Sequence, residues 1–155
     1  MVDVIAEPQT EIIVGEPLMK DSMRSLVDKV EIPAHLEDWE KVDYFREKVE
    51  IPLTKFETWV SAIAPDITPQ SRLTDQQLGR VIVSSTNNGR SVQATHEATQ
   101  MEAVGKDESE ARAQLANLLD DQLQRWQAEG NLETQAQKLR TDLIQEYRQK
   151  LQPPW

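Results

Sequence analysis

The chain is 155 residues long, carries a formal net charge of -10 at pH 7 and contains no cysteine. That length suits one domain with an extension, and 38% hydrophobic against 28% charged residues supports a modest core and argues against wholesale disorder. The missing thiols exclude disulfides, thiol catalysis, zinc ribbons and iron–sulfur ligation, and the acidic balance opposes the positive field that phosphate binding requires, so nucleic acid is a poor partner.

Residues 1–20 read as an extended arm, in which Val4-Ile5 and Ile12-Ile13-Val14 alternate with the breakers Pro8, Gly15 and Pro17, with one strand expected at 11–14. The stretch Met1–Pro8 lacks the basic start and apolar core of a signal peptide. No segment approaches the roughly 18 apolar residues of a membrane span. The expectation is a soluble, cytoplasmic protein. From Asp21 to Lys29, the helical spacing of Met23, Leu26, Val27 and Val30 predicts a short helix capped by Asp21 or Ser22.

Lys29-Val30-Glu31-Ile32-Pro33 recurs, offset by 19 positions, as Lys48-Val49-Glu50-Ile51-Pro52, and each copy is followed by a tryptophan, Trp39 or Trp59. The duplication predicts a repeated unit within 21–66, an alternating segment stopped by proline and then a short amphipathic helix. Leu36, Trp39, Val42 and Phe45 or Tyr44 mark the first helix; Phe56, Trp59, Val60 and Ile63 mark the second, which Pro65 and Pro69 end. Residues 67–79 read as a linker and domain boundary, with one helical turn starting from Thr74 as cap.

Beyond the linker, residues 80–155 read as a β-β-β-α-α domain. The β-branched run at 80–86 and the run at 91–96 flank Asn87-Asn88-Gly89, a strong hairpin signal, and a third strand is expected over 100–104. Asp107 with Glu110 has the form of a capping box, and Gly130 sits where the long helix after it should stop. Ala111, Leu115, Leu118, Leu119, Leu123 and Trp126 hold one face of that helix. Leu132, Ala136, Leu139, Leu143, Tyr147 and Leu151 repeat along a second, which ends at Pro153-Pro154-Trp155. The short joint implies either a helical hairpin or a second helix leaning outward.

Chemistry is sparse. His35 and His96 are far apart and without companions at metal-ligand spacing, the five glycines are scattered, and no Gly-x-Ser-x-Gly elbow occurs. Glu37-Asp38 and Asp120-Asp121 fall on polar faces of predicted helices. His96 reads as an ordinary half-exposed strand residue. No catalytic, metal or cofactor site is expected. The four tryptophans are half of all aromatics and mark tertiary contacts. Trp39, Trp59 and Trp126 lie on apolar stripes; Trp155, beyond a stiff Pro-Pro spacer, either folds back onto a core or anchors a partner.

Residues 80–126 resemble the β-β-β-α unit of HicB-type antitoxins. The segment Gly105-Lys106-Asp107-Glu108-Ser109-Glu110-Ala111 is similar to the family's Gly-Asp-Thr-x-Glu-Glu-Ala-like entry into the helix, with Asp107 where the family has Thr and Ser109 where it has the first Glu. The resemblance implies an inhibitor that neutralises a small basic toxin. From the residues themselves the reading is an α+β protein: a small three-stranded antiparallel sheet, a long C-terminal helix and a second following it, and an N-terminal arm with two short helical repeats. Residues 1–70 carry fifteen acidic and seven basic side chains. That imbalance favours a non-catalytic accessory subunit or assembly factor binding a basic face of a protein partner through Glu31, Glu37, Trp39, Glu50, Trp59 and Trp155. Surplus apolar helix faces also leave room for a homo-oligomer.

Overall fold

The computed structural model describes residues 19–151; the strand expected at 11–14 and Trp155 lie outside them. The described part is α+β, with helices before a three-stranded antiparallel sheet and two long helices after it. Helix α1 is Met19–Asp28. Helix α2, Asp38–Phe45, runs through a π-helical turn at Arg46–Glu50 into α3, Ile51–Ile63, and a single 3₁₀ turn follows at Ala64–Asp66. A one-turn helix α4, Asp75–Leu78, precedes β1 (Val81–Thr86), β2 (Ser91–His96) and β3 (Glu102–Gly105); α5 is Glu108–Glu129 and α6 is Leu132–Leu151. No helix among the described residues is long and apolar enough to cross a membrane.

The two copies of the Lys-Val-Glu-Ile-Pro string take different backbones. After α1 ends, Val30–Pro33 has no regular structure and enters a turn at 34–35. The second copy lies inside a helix, where Pro52 removes the N–H that an unbroken α-helix would donate to the residue 48 carbonyl, and its ring would collide there. The π-turn accommodates it by lengthening the loop of chain, as the Ile51 N–H reaches back to the Arg46 carbonyl. Pro33 thus ends a segment, whereas Pro52 sits in the first turn of α3, where its missing donor costs little.

The strand order is β1-β2-β3. Asn87, Asn88 and Gly89 all adopt positive φ, at 56°, 58° and 82°, in the turn between Thr86 and Ser91, which asparagine and glycine tolerate best. The register Val81↔His96, Val83↔Ala94 and Ala94↔Ala103 places these residues on the covered face, and Ile82, Gln93 and Val104 on the other. Helix α5 covers the inner face. It starts where the Asp107 carboxylate accepts the Glu110 N–H at 2.8 Å. The Glu110 carboxylate accepts from Lys106 N–H rather than from the cap's own N–H, so the reciprocal bond forms one residue earlier than the sequence pattern suggests.

Helix α6 leans away from α5 and packs mainly on α3. Phe45, Val49, Leu53 and Phe56 are buried from one side of the α2–α3 rod, with Tyr147 of α6 against Phe45 and Trp126 of α5 against Phe56. Ion pairs Arg148–Glu50 (2.8 Å), Arg140–Glu57 (2.6 Å) and Arg24–Glu146 (2.8 Å) fasten the π-turn, α3 and α1 to α6. The Arg140 Nε pair is a contact of charges without hydrogen-bond alignment.

The segment 67–79, expected to be a linker between domains, is part of this same core. Ile67, Leu73 and Leu78 are buried, and Gln127 and Gln124 of α5 donate to the carbonyls of Ile67 and Thr68. Arg72 completes the strap by donating to Asp120 Oδ2. The Asp120 side chain is fully shielded from solvent, and its Oδ1 has no hydrogen-bond partner. Removing the guanidinium leaves a buried carboxylate without its counter-charge. Because Arg72 itself is largely exposed, the expected cost is about 1–3 kcal/mol rather than that of a fully buried pair. Urea unfolding of Arg72→Ala checks this, and a change within about 0.5 kcal/mol, the range of ordinary surface substitutions, would refute the strap.

Candidate functional site

Among the described residues that precede the sheet, the exposed large apolar side chains lie on the α2–α3 rod. Trp39 is 67% exposed, and Val42 and Ile51 are each 41% exposed. Trp39, Val42 and Arg46 stand at i, i+3 and i+7, so they share one face of α2 and the start of the π-turn that continues it. The opposite face is held by buried Phe45 and Val49. Helix α2 starts firmly, since the Glu40 carboxylate accepts the Glu37 N–H at 2.9 Å, and the acids of its first turn complement the helix dipole. Glu31, Glu37, Asp38, Asp43 and Glu47 are exposed in the same stretch of chain, and Asp43 pairs with Arg46 at 3.3 Å.

Trp59 and Glu50, the partner-contacting residues expected from the second repeat, are used internally. Trp59 is only 9% exposed, and its indole N–H donates to the Gln77 carbonyl at 2.8 Å. Glu50 is committed to Arg148. The physical reason is the different placement of the second copy: inside the rod Val49 is buried and Glu50 meets Arg148 of α6, while Lys48 and Ile51 stay exposed, and Trp59 reaches the end of α4. Glu31 has a local effect as well. Burial raises the Tyr147 pKa above its ordinary value, and the charges of Asp28 and Glu31 add to the rise.

His96, expected half-exposed, is fully buried at the end of β2. Its ring meets Trp59 edge-on at a centroid distance of 4.4 Å. Nε2 lies 2.7 Å from the Leu78 carbonyl, which can only accept, so this nitrogen carries the proton; Nδ1 then accepts from the Thr99 hydroxyl at 2.8 Å. Thr99 Oγ1 in turn accepts the Met101 N–H. Burial pushes the His96 pKa down to about 4, against the opposing pull of the Leu78 carbonyl and the Glu97 charge. Trp59 and His96 together grip two successive carbonyls, those of Gln77 and Leu78, which a one-turn helix leaves unsatisfied at its end.

Beside this clasp lies a groove of about 560 Å³. Ile51, Thr54, Lys55, Thr58 and Ala62 of α3 form one wall; Gly79, Arg80, Glu97 and Ala98 form the other; Trp59 and Leu78 reach it from below. The sequence holds no signal for this groove, because its walls come from segments that only folding brings together. Among the described residues, no group of three or more His, Cys, Asp or Glu side chains is placed to hold a metal ion. Both His96 nitrogens are engaged by Thr99 and Leu78 rather than by the Thr54 and Thr58 hydroxyls. Comparison of the chain with family models, with curated proteins and with solved structures finds no match to any of them.

Proposed function

We propose that the protein is a non-catalytic interaction module, an accessory subunit or assembly factor, whose contact with a protein partner centres on Trp39. The observation that carries this reading is a tryptophan 67% exposed on a helix that the core holds in place from its other side. Tryptophan is enriched among the residues that dominate binding energy, and a preformed helix spares the ordering cost of a loop. Val42 extends the apolar contact, and the acids at positions 31, 37, 38, 43 and 47 are exposed in the same stretch of chain. They favour a basic face on the partner and act on encounter rate and specificity more than on affinity.

Affinity capture of the tagged protein from its native cell, at low and raised salt, tests the reading. The expected result is one stoichiometric partner, weakened by salt and lost with Trp39→Ala, while Trp126, which is buried, matters only to stability. Retention of the same partner by Trp39→Ala at unchanged yield overturns it. A second reading is favoured by one observation, the order β1-β2-β3-α5 with Gly105 tight against the start of the helix. It is the HicB-like antitoxin that neutralises a small basic toxin, and it predicts that the captured partner is itself small and basic.

A further inference from the structure

We propose that the groove between α3 and the start of β1, which adjoins the Trp39 face at Arg46, is a binding site for a small amphipathic monoanion, an apolar body ended by one carboxylate. Its volume of about 560 Å³ lies within the range of small-molecule sites. The floor is apolar for a structural reason. The Trp59 indole N–H donates to the Gln77 carbonyl, and the Leu78 carbonyl is paired with His96, so each of these groups already has a partner. Polar recognition therefore falls to the Thr54 and Thr58 hydroxyls of the wall and to the charged rim.

On that rim the charge runs opposite to the chain as a whole. Arg46, Lys55 and Arg80 line it with Glu50 and Glu97, three cations to two acids in a protein of net charge -10, with Arg46 paired to Asp43 at 3.3 Å. Glu50 is held by Arg148 at 2.8 Å, and Glu97 by Arg80 at 3.6 Å. Lys55 is exposed and pairs with no acid among the described residues. Arg80, three-quarters exposed in its loose pair, is available as a second cation. A ligand with one carboxylate supplies the counter-charge that Lys55 lacks, while its apolar part covers Trp59, Ile51 and Ala62. A cationic ligand of the same shape meets like charge at Lys55 and Arg80, and a neutral one gains no ion pair there.

Titration of the full chain with decanoate, below its micelle concentration and followed by amide NMR shifts, tests the proposal against decyltrimethylammonium of equal chain length. The expected result is saturable shifts at Ala62, Gly79 and Ala98 with decanoate, at least fivefold weaker binding of the ammonium compound, and at least fivefold weaker decanoate binding by Lys55→Glu. Lys55 is exposed, so that variant keeps its fold; Ala62→Phe, which fills the groove, abolishes the shifts by a second route. Equal binding of the two head groups, shifts confined to the Trp39 face or the open face of the sheet, or no effect of either substitution overturns it. Decanoate binding is read apart from partner capture, so failure of either leaves the other standing.

Discussion

Alanine at position 105 is expected to lower stability by about 3 kcal/mol, near the top of the usual range for an overpacked core. A Cβ built on Gly105 meets the Ala111 nitrogen at 2.5 Å and the Glu110 carbonyl carbon at 2.8 Å. Both are backbone atoms of the first turn of α5, so no side-chain rotation relieves the contact. Only a shift of the helix away from β3 does, and that helix buries Ala111, Leu115, Leu119, Leu123 and Trp126. A close-packed interior passes such a shift to every neighbour. Denaturant unfolding of Gly105→Ala measures the loss; a change below about 0.5 kcal/mol, as for an ordinary surface site, contradicts the packing described here.

Acidification is expected to weaken the fold through His96. An unfolded chain titrates this histidine near 6.5, whereas the buried ring titrates at about 4. The folded pKa is the lower one, so the unfolded state binds the proton first. Stability due to the neutral ring is complete above pH 6.5 and falls as pH drops towards 4, by about 3 kcal/mol at 1.36 kcal/mol per pH unit. The structural counterpart is the Thr99 hydroxyl. It already accepts from Met101 and would lose its own acceptor once Nδ1 is protonated. Urea unfolding of wild type and His96→Gln at pH 7 and pH 4.5 isolates this contribution. The wild type should lose about 2 kcal/mol more than the variant over that interval; parallel losses contradict the assignment.

The elements legible in the sequence are those decided locally. Asn87-Asn88-Gly89 announced the hairpin because positive φ is a property of those residues, and Asp107 announced α5 because a cap acts within one turn. The two long helices followed from their own periodicity. Tertiary context decided the rest. Trp39 and Phe45, six residues apart, point to different sides of a helix, and each belongs to a plausible apolar stripe; only the docking of α6 determined that Phe45 is buried and Trp39 exposed. The repeated pentapeptide has equal local preference in both copies, and the second became helical because the π-turn and the packing of Val49 and Leu53 absorbed Pro52. His96 and Trp59 became a clasp through the carbonyls of α4, 18 residues away from each, a separation that no spacing rule covers. Of the proposed partner surface, Trp39 and the neighbouring acids were readable as a composition; their exposure was not.

The most direct test of the account is calorimetric titration of the captured partner into wild-type protein and Trp39→Ala, with thermal unfolding of both. The account predicts at least tenfold weaker binding by the variant, about 1.4 kcal/mol, with the unfolding midpoint unchanged because the side chain is exposed. Equal affinity, or a loss of binding that tracks a lowered midpoint, contradicts the role assigned to Trp39.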